Sequence, residues 1–545
     1  MVSAPPGSLR DSRPGPRLSA PCAPARGLVA GPLGWLLVSG SLTSPLASSL
    51  TSIGNRTPAA SRAQQNAVVE LLRIAPVADE LAARFAAAGH SLYLVGGSVR
   101  DALLGRLGSD LDFTTDARPE TIKAILQGWA DAVWDTGIAF GTIGATRAGM
   151  QCEITTYRAD RYDRVSRNPE VVFGDTVQGD LARRDFTVNA MAVQLPLRDL
   201  LAGSSHHDRG VGPLIDPHGG MAALNRRELD TPATPEESFA DDPLRMLRAA
   251  RFVSQLGFTL APRVRAAMGA MAGEIRRITA ERIAAEISKL LLGADPRAGI
   301  ELMVDTGLAE HVLPEVPAMR LEIDEHHQHK DVYVHSLTVL EQVIALEDGE
   351  PDLVLRLAAL LHDIGKPATR RHEPGGGVSF HHHEVIGAKM VRKRLRALRY
   401  PTQVIDDVAA LVSLHLRFHG YSGGEWTDSA VRRYVTDAGP LLPRLHKLVR
   451  ADSTTRNRRK AIALQRTYDD LERRIERIRT EEDLAAVRPD LDGNAIMELL
   501  GLTPGPDVGR AWRHLKEVRL DRGPLSRDEA EAELRRWAQD NLGRE

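Results

Sequence analysis

The spacing of hydrophobic positions changes several times along the chain, and the changes divide it. Over residues 67–88 apolar side chains recur at helical spacing, first Val68, Leu71 and Leu72, then Val77, Leu81 and Phe85. This predicts two helices, the second closed by Gly89. The pattern then shortens to Leu92-Tyr93-Leu94-Val95, a run of strand length within residues 91–95 that stops at Gly96-Gly97. A short helix is expected from Ser98. An amphipathic helix over 119–129 follows, with Pro119 in its first turn. Strand-like runs at 132–134, 141–146 and 152–157 then alternate with glycine turns. Residues 160–178 are polar and weakly patterned, as in a mobile loop. Beyond the turn at Ile215-Asp216-Pro217-His218-Gly219-Gly220 helical periods dominate to the C-terminus. The fold class this predicts is an α/β head followed by a mostly α-helical remainder.

Chemistry enters at the glycine pair. Gly96-Gly97 lets the backbone approach a ligand closely, and the helix start after it adds a positive dipole end, a combination suited to phosphate. In Asp110-Leu111-Asp112 two carboxylates share one face of the next strand. With no lysine between them they are stable as anions mainly around a divalent cation, and hard oxygen ligands suit Mg²⁺ with a phosphate substrate. Asp-x-Asp alone is more often a solvated strand end; the glycine turn and Arg100-Asp101 just upstream reverse that preference. Glu153 stands open between a third acidic group beside these two and a solvated strand residue. Arg183-Arg184-Asp185, ahead of Phe186-Thr187-Val188-Asn189-Ala190, would set guanidinium groups against triphosphate oxygens, although such a run taken singly is usually a solvated turn.

The helix expected after Asp241-Asp242-Pro243 carries Asp242, Arg245, Arg248 and Arg251 at every third position, a ribbon drifting slowly around one side. Leu244, Leu247 and Phe252 face elsewhere, toward a core. Three arginines at this spacing repel, which makes sense where an anion is bound. An aspartate accepting from an exocyclic amine and an arginine donating to a ring nitrogen match cytosine and adenine. Uracil and guanine present the reverse order and would leave buried groups unpaired.

Taken in order over residues 91–258, these motifs resemble the tRNA nucleotidyltransferases of the poly(A) polymerase family, the bacterial class II CCA-adding type with a fused HD domain. The resemblance implies a polymerase-β-like mixed sheet in the head. It implies Mg²⁺ on the catalytic Asp110 and Asp112, the triphosphate on Gly97, Arg100 and Arg184, and the base read by Asp242 and Arg245 with Arg248 and Arg251 nearby. The implied partners are tRNA, CTP and ATP, with no membrane, and the implied reaction is template-independent CCA addition with release of pyrophosphate. A poly(A) polymerase or an enzyme adding only A or only CC shares the head motifs. A rival of another class is an HD phosphohydrolase with an RNA-binding head. Two departures stand out: Asp241-Asp242 where the family often has Glu-Asp, and Ala223-Leu224 where Asp-Leu usually follows the glycine pair.

Of 18 histidines most fall between His311 and His446. The order His335, His362-Asp363, Asp452 resembles the HD phosphohydrolases, in which distant side chains converge on one divalent ion, a transition metal or Mg²⁺. His381-His382-His383 and His415 are further candidate ligands. The chemistry this resemblance implies is hydrolysis of phosphomonoester or 2′,3′-cyclic phosphate ends by water that the metal activates. Gly365 is expected to terminate the helix that ends in His362-Asp363.

Composition adds limits rather than function. The 545 residues suffice for about three or four domains. The division expected is a tail over 1–62, a nucleotidyltransferase head over 63–214, a helical neck over 215–298, an HD-type body over 299–460 and a helical tail over 461–545. The formal charge of -2 excludes nothing, because basic residues cluster at 389–399, 456–460 and 473–479, where some are expected to meet tRNA phosphates. Two cysteines, Cys22 and Cys152, leave no disulfide framework, as a reducing cytoplasm predicts. Residues 1–62 are rich in Pro, Ser, Gly, Ala and Arg and cannot bury a core. Residues 27–38 within them resemble the apolar centre of a signal peptide, too short and interrupted for a membrane helix. A disordered or misassigned extension is the reading adopted over a targeting signal.

Overall fold

The computed structural model describes residues 58–158, 173–197, 214–320, 331–374, 377–418, 421, 426–454, 457–482 and 489–543. Most of the expected N-terminal extension, and most of the expected loop at 160–178, lie outside these. Residues 58–62, placed in that extension from sequence, are instead the start of one long helix, α1 (Pro58–Ala87). The spacing predicts two helices here, whereas the structure has one, with Pro76 inside it. The buried stripe of Leu71, Ile74, Val77, Ala78, Leu81 and Phe85 continues across Pro76, so packing of that stripe overrides the missing backbone donor.

The head is a mixed sheet. Its strands are β1 (Leu92–Val95), β2 (Asp110–Thr115), β3 (Ala132–Trp134), β4 (Thr142–Arg147), β5 (Met150–Thr156), β6 (Ala192–Gln194) and β7 (Leu214–Ile215), in the order β3-β4-β5-β2-β1-β6-β7. β1 runs antiparallel to β2 and β6, whereas β2 and β5 are parallel, with Asp112 opposite Glu153. Side chains alternate across a strand. Leu111 and Phe113 of β2 and Cys152 and Ile154 of β5 therefore enter the core with α1 and with α3 (Pro119–Leu126), while Asp110, Asp112 and Glu153 lie on the other face. Between β1 and β2 runs α2 (Gly96–Leu104), which begins two residues earlier than expected. Gly96 enters it with φ +67°, the left-handed region that a side chain disfavours, so the glycine pair is the first turn of the helix and not a separate turn before it.

After α4 (Val177–Ala182), the neck follows from α5 (Gly220–Arg226) through α6 (Pro235–Asp241), α7 (Leu244–Leu256), α8 (Pro262–Met271), α9 (Ala280–Leu291) and α10 (Pro296–Asp305). Asp216 accepts from the Gly220 and Met221 amides and caps α5, whose Ala223 and Leu224 are buried. α7 packs along both α9 and α10. The body comprises α11 (Val332–Ala345), α12 (Leu353–Leu361), α13 (His383–Ala397), α14 (Thr402–Leu414), α15 (Asp428–Ala438) and α16 (Leu442–Asp452). One hydrophobic core runs from Ala63 through the neck and body to Tyr468, Leu471, Ile475 and Ile478 of α17 (Arg458–Glu482). The last three helices, α18 (Gly493–Leu500), α19 (Pro506–Arg522) and α20 (Arg527–Leu542), close over a small core of their own. It contains Leu491, Ile496, Ala511, Leu515, Ala530 and Leu534. Among the described residues no helix is long and apolar enough to cross a membrane.

Gly365 has a different use from the one expected. α12 ends at Leu361, and Gly365 takes φ -76°, so it is no left-handed cap. A Cβ there would instead collide with the carbonyl of His383, so the glycine admits the start of α13 against the His362-Asp363 turn.

Candidate active site and metal centre

Ser98 fixes the two head carboxylates. Its hydroxyl accepts from the Asp112 amide at 2.9 Å and donates to the Asp110 carbonyl at 3.4 Å, tying the first turn of α2 to the strand that carries both acids. Asp110 is exposed and Asp112 half-buried. Burial, with Glu153 and Asp110 adding repulsion against the pull of Arg184 and Arg100, pushes the Asp112 carboxyl up to about 6. Glu153, left open from sequence, is thus beside Asp112 and felt by it. Three carboxylates on one sheet face whose central member resists ionisation form a donor set that a dication would relieve, so hard-ion chemistry fits here.

Arginines reach this face from two directions. Arg184 donates from Nε and Nη2 to Asp180, and its Nη1 turns to Gly96, where a Cβ would lie 2.5 Å away. Asp180 also accepts from Arg183, and although burial opposes it, Arg184 and Arg183 hold its carboxyl below the ordinary value. Gly97 lies against the same spot: a Cβ there would sit 3.6 Å from both Asp112 and Arg100. Arg100 is buried, and its donors are used by Asn189 at 2.6 Å and by both Asp101 oxygens.

The ribbon on α7 is not the row of mutually repelling charges that its spacing suggests. Arg248 pairs with Asp185 at 2.6 Å and Arg251 with Glu286 at 3.1 Å. The guanidinium groups of Arg100, Arg248 and Arg251 all lie over the Phe252 ring, at 5.1, 5.7 and 4.4 Å from its centroid. The like charges are therefore neutralised by acids from other segments. Arg245, also buried, donates to the Ser238 hydroxyl at 2.8 Å and to the Arg183 carbonyl at 2.6 Å. Asp242 accepts from the Leu244 amide and from Arg282 at 2.7 Å.

Asp180, Ser238, Arg282 and Glu286 escaped the sequence reading, and Asp185 and Asn189 stood in its arginine motif without a role of their own. Their partners lie between one and 89 residues away, and no local spacing signals the longer pairings. Asp185 takes Arg248, Asn189 and the Phe186 amide. Asp185→Ala is expected to cost roughly 3 kcal/mol, because Arg248 and Asn189 would be left without their acceptor. Asp185→Asn should cost less, and urea unfolding of the three chains measures the difference.

In the body, His335, His362, Asp363 and Asp452 converge as expected. His335 Nε2 lies 2.9 Å from Asp452 and 3.6 Å from Asp363, and His362 Nε2 lies 3.2 Å from Asp363 and 3.5 Å from Asp452. Of the three consecutive histidines, His381 and His382 are exposed and only His383 turns inward, where it joins His415 beside Asp363. Lys366 reaches Asp363 at 2.6 Å. Burial opposes the charge on Asp363, yet His362 and Lys366 hold its carboxyl well below the usual range.

Family profiles match in three blocks: residues 92–230 to the poly A polymerase head domain, 257–319 to the probable RNA and SrmB-binding site of polymerase A, and 332–457 to the HD domain. The A-adding tRNA nucleotidyltransferase of Deinococcus radiodurans is 33% identical over 456 residues, 83% of this chain and 96% of that protein. The CCA-adding enzyme of Anoxybacillus flavithermus is 30% identical over 458 residues, 84% and 95% of the two chains. The crystal structure of the Bacillus stearothermophilus CCA-adding enzyme in complex with CTP superposes with a TM-score of 0.60 at 25% identity, covering 85% of this chain and 97% of that one. A mixed-sheet head with paired aspartates, a helical neck, an HD body and end-to-end similarity to such enzymes agree: the chain belongs to the tRNA nucleotidyltransferase/poly(A) polymerase family, in its class II, and carries an HD domain.

Proposed function

We propose that this enzyme builds the CCA end of tRNA, transferring CMP and then AMP from CTP and ATP to the 3′-hydroxyl and releasing pyrophosphate. The observation that carries the reading is the hydrogen bond from Arg245 to the Arg183 carbonyl. It joins the helix that would read the base to the segment that would hold the triphosphate, so one nucleotide can meet both. Asp242, anchored by Arg282, accepts from the exocyclic amine of C or A, and Arg245 donates to the ring nitrogen. Gly97 and Arg184 line the phosphate side, with Arg100 bracing α2 from behind. Arg248 and Arg251, already paired, stiffen the neck beneath the base. Asp110 and Asp112, with Glu153 as third acid, would hold Mg²⁺, which when bound would supply charge neutralisation for the transfer. These substrates place the enzyme in the cytoplasm.

Exposed Lys389, Lys393, Arg396 and Arg399 lie along or just beyond α13 and offer a basic face for tRNA phosphates. The run at 473–479 offers less, since Arg473, Arg474, Arg477 and Arg479 each face an acid.

Addition of A alone is the second reading, favoured by the end-to-end match to the Deinococcus A-adding enzyme. Incubation with tRNA lacking its CCA end and labelled CTP or ATP, followed by sequencing of the product ends, separates the readings. Complete CCA ends are expected. A on CC-ended tRNA alone would point to the second reading, a run of A to poly(A) synthesis, and phosphate release without incorporation would defeat both.

A further inference from the structure

We propose that Trp134 is a stacking platform for the 3′-terminal base of the RNA that receives the nucleotide. The inference rests on the reading of Asp110 and Asp112 as the reaction centre, and not on which nucleotides are added. Strand register carries it. Residues paired directly across neighbouring strands point to the same face of a sheet. Asp112 of β2 lies opposite Glu153 of β5, Glu153 opposite Gly144 of β4, and Gly144 opposite Trp134 of β3. These four residues form one row across the sheet, so Trp134 shares the face of the three carboxylates.

The glycine in this row shows where the indole goes. A Cβ on Gly144 would fall 2.1 Å from both Nε1 and Cε2 of Trp134 and 2.5 Å from its Cζ2. The ring therefore lies back over β4, in the space that a side chain would fill. Gly144 is not among the glycines with positive φ, so it serves room rather than conformation. With strands about 4.8 Å apart, the ring stands one spacing from Glu153 and roughly 10 Å from Asp112. That interval has room for a 3′-hydroxyl beside the carboxylates with its own base on the indole.

The side of the sheet is the right one for an acceptor. Gly96 and Gly97, on the phosphate side of the site, follow β1 on one flank of β2, whereas β5, β4 and β3 lie on the other. Attacking and leaving oxygens stand roughly in line across the transferred phosphorus. An RNA end that attacks from opposite the triphosphate therefore approaches over β5 and β4, where the indole lies. Burial separates Trp134 from an ordinary core tryptophan. Trp129 is 1% exposed and belongs to the core, but Trp134 is only half-buried and stands outside it. Stacking tolerates any base, so the platform would hold the RNA end without reading it and leave selection to the neck.

The test uses the full chain and tRNA ending in CC, its last base replaced by 5-iodocytosine, which couples on irradiation to an aromatic ring it stacks on. Irradiation without nucleotide is expected to give a crosslink that mass spectrometry maps to Trp134. A crosslink mapped to another element overturns the proposal. Kinetics then separate the π face from mere bulk. Trp134→Leu still covers Gly144 with an apolar group and should raise KM for tRNA roughly 10-fold, with KM for ATP unchanged. Trp134→Phe should stay near the parent. On tRNA whose terminal residue lacks its base, the parent and Trp134→Leu should behave alike. A Trp134→Leu chain with the parent's KM, or a Trp134→Phe chain as impaired as Trp134→Leu, overturns the platform. A chain that crosslinks at Trp134 yet adds no nucleotide supports the platform and counts against the proposed transfer instead.

Discussion

Asp110→Ala and Asp112→Ala are each expected to reduce nucleotide incorporation by roughly 10³-fold or more, since transfer needs the charge neutralisation that these carboxylates organise. Affinity for tRNA should remain near that of the parent chain, because it rests on basic side chains elsewhere. Asp112→Asn adds a second readout with the opposite sign. Burial raises the Asp112 carboxyl to about 6, above its unfolded value near 4. The ionised form is thus disfavoured in the folded chain. Its penalty is absent below about pH 4, grows as pH rises through 6 and is complete above that. Asn removes the penalty, so the metal-free variant should gain on the order of 1–3 kcal/mol at pH 7.5 and little at pH 4. Urea unfolding at both pH values, in chelator, measures this gain. A variant that is inactive yet no more stable at pH 7.5 would contradict the account of Asp112 as a strained carboxylate awaiting a cation. Normal incorporation in either alanine variant would remove the metal site from Asp110 and Asp112 altogether.

That pair was legible in the sequence because everything about it is local. Two residues on one strand face, a glycine pair and a helix start within about 20 positions need only the periodicity of a strand and the backbone freedom of glycine to be recognised. The α/β head and the helical remainder were legible for the same reason. What sequence could not supply was compensation. Arg248 and Arg251 read as a repelling, anion-seeking stripe until the fold brought Asp185 and Glu286 to them from 63 and 35 residues away. The stretch before Gly89 read as two helices until the buried stripe of α1 proved continuous across Pro76. In the body, three consecutive histidines carry the same local signal. Only the approach of α13 to Gly365 turns His383 inward and leaves His381 and His382 outside.

Asp242→Ala is expected to reduce the preference for CTP and ATP over UTP and GTP by roughly 10²-fold, the scale of one or two hydrogen bonds to a charged group. The reasoning starts from the anchor. Arg282 holds one Asp242 oxygen at 2.7 Å while the Leu244 amide takes the other, so the carboxylate is fixed in place, and as an acceptor only it cannot pair with a base that offers a carbonyl in place of an amine. UTP and GTP would then bury an unpaired acceptor against it. Without the carboxylate that conflict disappears, and misincorporation rises while correct incorporation falls. Arg282→Ala leaves the carboxylate in place but frees it to turn, so selectivity should fall less, with KM for CTP rising more than kcat drops. Arg245→Ala should differ from both. Its guanidinium also ties α7 to the Arg183 carbonyl and to Ser238, so kcat falls along with selectivity as the triphosphate segment loosens from the neck. Steady-state rates with each of the four nucleoside triphosphates on tRNA lacking its final residues distinguish the three variants. If Asp242→Ala and Arg245→Ala both keep the parent's discrimination, the base is read elsewhere on the enzyme and the neck is only a brace.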